Sequence, residues 1–206
     1  MSPYAYDEQG RRVMAPTKGE LREKVILDEA EKQLIAVGPD AMTVETIATA
    51  AGLTRGALYF YFRSKNDVLA ALVQRIVVEL SGAVATRGTV IPGSPREALL
   101  SAIDLTEDLW QRHGAVMRAA VDLSPSVPVI AQLWNGARDD ITRSVRAIVA
   151  SDDEPADAAD GQGDLVPMLV GMTERAFYDA SVAGTPVAEA TPAITTIWLR
   201  ALRLDA

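Results

Sequence analysis

The stretch TRGALYFYFRSK, Thr54 to Lys65, carries the side chains in this 206-residue chain best suited to grip another molecule. Arg55 can present a bidentate fork to a guanine edge, and Gly56 lets the backbone come close to a groove. Tyr59 offers a hydroxyl to a phosphate and a ring to a thymine methyl. Phe60 has no donor and can only pack on sugars or thymine methyls. Lys65, and Thr43 and Thr54 at helix starts with free backbone N–H groups, are natural phosphate anchors. Four of the eleven aromatic rings, Tyr59, Phe60, Tyr61 and Phe62, stand side by side here.

Catalytic chemistry has no comparable cluster. The sequence contains no phosphate loop, G-x-S-x-G elbow or paired metal-ligand spacing, so no enzyme activity, metal or cofactor is expected. Cysteine is absent, which excludes disulfides and thiolate sites, and His113 has no second histidine for a zinc cluster. His113 lies beside Gly114 at an expected helix end, where a C-terminal charge or cap is the simpler role.

Stepping outward, apolar residues recur at helical spacing almost everywhere, and no strict alternation reads as a strand. The expected fold is all-α with about nine helices: an N-terminal three-helix helix-turn-helix domain and a C-terminal helical body. The divisions are a flexible N-terminal arm over 1–17, a helix-turn-helix domain over 18–65, and a larger helical body over 66–206. Helix one is expected from Lys18 to Val37, with Ile26, Leu27, Ala30, Leu34 and Val37 on one face, stopping at Gly38-Pro39. Thr43 caps Val44 to Ala51, Gly52 makes the turn, and Thr54 caps Arg55 to Tyr61. A long fourth helix then carries Val68, Leu69, Leu72, Val73, Ile76, Val77 and Leu80 at i, i+3, i+4 spacing. In the body, helices are expected over Pro95 to His113, Ala115 to Leu123, Val129 to Ala150, Leu165 to Val182 and Val187 to Leu202. The acidic SDDEPADAADGQGD, residues 151–164, reads as a solvated loop.

A short helix, a glycine turn and a second short helix form the layout in which the second helix enters a major groove by its N-terminal end. On a wheel of about 100° per residue, Arg55, Gly56, Tyr59 and Phe60 share one arc, and Ala57, Leu58, Tyr61 and Phe62 share the other. The second arc is the core side. The first is a contact face, because a surface meant only for water does not carry an arginine, a glycine and two rings.

Charge supports this division. The net charge of −8 argues against binding phosphates, but Met1 to Lys65 holds nine Lys/Arg against nine Asp/Glu. Residues 66–206 hold eleven against nineteen. A neutral reader can keep a basic face, while an acidic body is repelled by a duplex. Neither a long apolar run nor a secretory leader is visible, so a cytoplasmic location without membrane contact is expected.

The segment MTVETIATAAGLTRGALYFYFRSKNDVLAAL resembles the DNA-binding region of the TetR (tetracycline-repressor) family of regulators. The YFYF variant, Leu133-Trp134, MTERAFYDASVAG and TTIWLRAL are similar more narrowly to the EthR-like (ethionamide-regulator) branch, departing at Thr173, where that branch often carries asparagine. The resemblance implies DNA contacts at Thr43, Thr54, Arg55, Gly56, Ala57, Tyr59, Phe60, Tyr61 and Lys65. The wheel puts Tyr61 on the core side, so a half-buried ring with its hydroxyl reaching a phosphate is expected there, and a purely structural ring is the other possibility. Arg11, Arg12 and Lys18 can follow the backbone or minor groove when DNA is bound.

The resemblance further implies a homodimer, a double-stranded operator, and a pocket for a small hydrophobic or aromatic inducer. Trp110, Met117, Trp134, Met168, Met172, Thr173, Phe177 and Trp198 are the candidate pocket residues, with Thr173, or Asn135, as polar handle. Few charges fall on these stripes, which favours an uncharged ligand. The last two helices, through Phe177, Ile194, Ile197, Trp198, Ala201 and Leu202, are the candidate dimer interface; the same stripes can also face the body's own core. A repressor released by its ligand is the expected function. A helical ligand-binding or protein-interaction module without specific DNA binding is the alternative.

Overall fold

A computed structural model describes residues 4–6, 12–14, 16–88, 94–149 and 164–204. Eight α-helices are present among them: α1 Lys18–Ala41, α2 Val44–Ala50, α3 Arg55–Tyr59, α4 Lys65–Gly88, α5 Pro95–Leu123, α6 Pro128–Val149, α7 Val166–Ala183 and α8 Thr191–Ala201. The chain divides into two units, Met1–Val68 and Leu69–Ala206. Among the described residues no helix is long and apolar enough to cross a membrane.

In the first unit, Thr17 caps α1 through a reciprocal box with Glu20, whose carboxylate accepts from the Thr17 N–H at 2.6 Å. Gly38, at φ +74°, breaks the helix where the sequence places the breaker, and Pro39 starts one further turn. The buried residues Ile26, Leu27, Ala30 and Leu34 form the inner face of α1, and Met42, Ile47, Ala48, Ala51, Leu58 and Phe62 complete the small core. Val37, expected on that face, is exposed, next to the break at Gly38.

Two departures from the expected pattern occur here. Tyr4–Tyr6 (β1) pairs antiparallel with Arg12–Met14 (β2), Ala5 facing Val13, where the sequence reads as an arm without strands. Three-residue strands are too short for alternation to register. The α3 helix also ends at Tyr59, two residues early, because the Phe60 and Tyr61 N–H groups bond back only three residues, to Ala57 and Leu58. Arg11 lies outside the described residues.

The second unit packs α5 against α6, α7 and α8. The two pieces expected on either side of His113 are one helix, α5, bent at His113 where φ is −123° and ψ 22°. Gly114 follows because α7 passes so close that a Cβ there would meet Ser181 Oγ at 2.9 Å. Arg118 reinforces the crossing by donating to Ser181 O at 3.0 Å and Oγ at 2.5 Å. Among the described residues there are thus eight α-helices against about nine expected. The last begins at Thr191 rather than Val187, after a 3₁₀ turn over Val187–Glu189. Gly184, at φ +71°, terminates α7. The acidic stretch 151–163 lies outside the described residues; Asp164, which ends it, pairs with Arg146.

Candidate nucleic-acid interface and ligand cleft

The turn between α2 and α3 is built by backbone hydrogen bonding. Thr43 Oγ1 accepts from the Thr46 N–H, and Thr46 Oγ1 accepts from the Thr43 N–H, both at 3.1 Å. From α1, Gln33 accepts the Thr46 hydroxyl at 2.8 Å and donates to the Thr46 carbonyl at 2.9 Å, fixing the start of α2. At the far end Gly52, at φ +65°, allows the Leu53 N–H to reach Ala48 O and its own N–H to reach Thr49 O, the paired bonds of a Schellman stop. Thr54 then caps α3 by accepting from the Ala57 N–H at 3.1 Å.

On this frame Leu58 and Phe62 point into the core, fully buried and 6% exposed, while Tyr59 is 41% and Phe60 94% exposed. Arg55 and Gly56 are exposed and Ala57 is intermediate. Tyr61 is 38% exposed, a partly buried ring and not the core residue that its arc on the wheel implies. The wheel misplaces it because the helix has already ended at Tyr59, and the tighter last turn swings residue 61 outward. Only Phe62, bonded through its N–H to Leu58 O four residues back, keeps the core position that the wheel assigns.

Arg55 is not a free surface side chain. Its Nε and Nη2 donate to Tyr59 Oη at 3.3 and 3.1 Å, and the guanidinium carbon lies 5.6 Å from the ring centroid. This bond shifts the pKa of Arg55 upward from its ordinary value, and the guanidinium is a cation with or without it. Thr43 and Thr54 are exposed, with their side-chain oxygens engaged in capping. Lys65 donates to Pro39 O at 2.8 Å and is partly buried, so the expected phosphate anchor also ties the start of α4 to the last turn of α1. Two of the three ammonium protons remain.

Within the second unit, a cleft of about 800 Å³, counting its mouth to solvent, lies among α4, α5, α6, α7 and α8. Ile76, Val77 and Leu80 of α4, Leu99, Ile103, Leu109, Trp110 and Met117 of α5, and Ile141 and Val145 of α6 make apolar walls. Trp134, Thr173 and Trp198 also line it. Trp198 Nε1 donates to Thr173 Oγ1 at 2.8 Å in a buried contact.

Three expected pocket residues do not line this cleft. Met168 is 72% exposed, on the outer side of α7, and Met172 is intermediate. Phe177 is fully buried against Trp110, with ring centroids 6.3 Å apart, so it supports the wall without reaching the space. Asn135 is exposed and does not line the cleft. Conversely, the wall includes three polar residues that are not among the expected pocket residues: Thr106, Arg138 and Glu174. Glu174 Oε2 accepts from Trp134 Nε1 at 3.0 Å and lies 3.4 Å from Arg138 Nε. The cleft wall therefore carries one ion pair, Arg138 with Glu174, among lining residues that are otherwise uncharged.

The candidate interface residues divide sharply. Phe177, Ile194 and Trp198 are buried within the protomer, Trp198 at 3%, and have no surface to give a partner. Ile197 is 44% exposed, and Ala201 and Leu202 are intermediate. The short α8 turns its larger side chains inward because α5 lies directly beneath it.

Comparisons with known proteins converge on one class. Residues 26–72 match the model for the tetR family of bacterial regulatory proteins. The HTH-type transcriptional regulator EthR of Mycolicibacterium smegmatis is 27% identical over 199 residues, spanning 94% of this chain and 91% of that protein. Among solved structures, the fatty acid degradation regulator FadR from Bacillus halodurans has a similar fold, with a TM-score of 0.74 at 17% identity over 89% of this chain and 97% of that one. SmeT, the repressor of the Stenotrophomonas maltophilia multidrug efflux pump SmeDEF, has a TM-score of 0.66 at 21% identity over 87% and 89%.

Proposed function

We propose that this chain, whose residues 26–72 match the model for the tetR family of bacterial regulatory proteins, is a cytoplasmic repressor that holds a palindromic operator as a homodimer. A small hydrophobic ligand in the body cleft releases it. The observation that carries this reading is the split of the YFYF stretch: Leu58 and Phe62 are buried beneath a face on which Arg55, Gly56, Tyr59, Phe60 and Tyr61 are exposed. Such a face is costly in water and suited to a major groove, where Arg55 meets a base edge and Thr43, Thr54, Tyr61 and Lys65 meet phosphates.

Two recognition helices in a two-fold dimer read half-sites related by the same two-fold, separated by a whole number of turns of about 34 to 36 Å. Ile197 and Ala201 on α8, with Leu202 at its C-cap, are the candidate interface residues with surface to contribute. Coupling runs along α4, one helix that begins at Lys65 and carries Ile76, Val77 and Leu80 of the cleft wall. A ligand that favours a different placement of α4 moves the population away from the DNA-competent form. A swing from 1:99 to 99:1 needs roughly 5.5 kcal/mol of differential binding, within reach of an apolar molecule filling such a cleft.

Selection of bound fragments from the source genome tests the reading. A two-fold symmetric site is the expected outcome, and enrichment of no sequence would sink it.

A further inference from the structure

We propose that Tyr59 is a specificity-determining positioning residue, whose hydroxyl holds one edge of the Arg55 guanidinium and leaves the other edge for a guanine. The inference rests on the DNA-binding reading above and deepens it.

A guanidinium has two edges that can donate in parallel: the side edge of Nε and Nη2, and the end edge of Nη1 and Nη2. The bonds of 3.3 and 3.1 Å from Nε and Nη2 place Tyr59 Oη on the side edge. The end edge has no acceptor among the described residues, and it is a fork of the shape that matches guanine O6 and N7. Arg55 and Tyr59 are four apart on α3, so the hydroxyl lies one turn along the same face. The ring beneath, 5.6 Å from the guanidinium carbon, limits rotation of the side chain in the remaining direction. Arg55, otherwise a long and exposed side chain, is thereby set in one orientation before it meets a base. Tyr59 Oη, accepting twice, keeps its own proton to donate to a phosphate.

The two roles of Tyr59 separate experimentally. A phosphate contact is blind to sequence, so its loss weakens all duplexes by one factor. Loss of Arg55 positioning weakens the preferred site more than a site lacking the guanine. The test uses the full chain and the operator from random-duplex selection, with the guanine read by Arg55 identified as the one whose preference disappears in Arg55→Ala. Affinities of the unaltered chain, Tyr59→Phe, Arg55→Ala and the double variant are then measured on that site and on one with the guanine pair replaced. Tyr59→Phe retains the ring and removes only the acceptor.

The expected result is that Tyr59→Phe lowers the ratio between the two sites about tenfold, within the range of a base-contact loss. The double variant should discriminate no worse than Arg55→Ala alone. Equal weakening of both sites by Tyr59→Phe, or no change, overturns the proposal while leaving the regulator reading intact. Failure of the unaltered chain to select any sequence overturns both.

Discussion

Trp198 Nε1 donates to Thr173 Oγ1 across the α7–α8 contact, and both residues are buried at the wall of the cleft. One bond thus satisfies a buried indole, fixes an aromatic wall, and occupies the side chain that the sequence offers as a polar handle. Thr173→Val keeps the shape and removes the acceptor. Leaving the indole N–H unpaired should cost about 1–3 kcal/mol, read as a lower urea midpoint. Thr173→Ser should restore most of it. Equal stability of the Val variant would mean that the bond contributes nothing.

The neighbouring rings Phe60 and Phe62 should respond oppositely to truncation. Phe62→Ala empties a buried site and should cost about 3–5 kcal/mol. Phe60→Ala, at 94% exposure, should change stability by less than about 0.5 kcal/mol while weakening operator binding. Thermal unfolding followed by circular dichroism, beside an operator titration, distinguishes them. A destabilised Phe60→Ala would show that its ring packs on something within the chain.

Lys65 should contribute one phosphate contact despite its bond to Pro39 O. Lys65→Gln should then reduce the slope of log affinity against log salt by about 0.9. An unchanged slope would leave Lys65 as a tie between α1 and α4 only.

The cleft should lose its ligand when it is filled from within. Ala102 lines it and faces the apolar wall from α5, so Ala102→Trp occupies the space a ligand needs. A hydrophobic naphthyl dye should quench or shift tryptophan emission in the unaltered chain and fail to bind the variant. Undiminished dye binding would place the hydrophobic site elsewhere.

Tyr178 donates to Asp122 Oδ1 at 2.6 Å, and this bond raises its pKa above the ordinary 10.0. A raised folded-state pKa means that the protonated form is favoured by folding. Its stabilising contribution is therefore complete below pH 10.0 and disappears as pH rises through the folded value. Tyr178→Phe should remove that part of the alkaline decline in the unfolding midpoint, and an identical decline in both proteins would contradict it.

What was legible in the sequence follows from local physics. Thr43 and Thr54 as caps, Gly38 and Gly52 as breakers, and the i, i+3, i+4 stripe of α4 each depend on bonds within a few residues, and each stands where the pattern puts it. Leu58 and Phe62 as core, with Arg55, Tyr59 and Phe60 facing out, depended on periodicity alone. Tyr61 did not, because periodicity fails where a helix tightens and ends, and that end was chosen by hydrogen bonds to Ala57 and Leu58.

Only the tertiary structure decided how one apolar stripe is divided between core, cleft and surface. Phe177, Ile194 and Trp198 have the same composition signal as Ile197, yet the first three are covered by neighbouring helices and the last is not. Likewise nothing local announces that Glu174 meets Trp134 and Arg138, forty and thirty-six positions upstream, in one wall of the cleft. A side chain's type sets what it can bond to; which partner lies within reach is set by the crossing of helices that are distant in the chain.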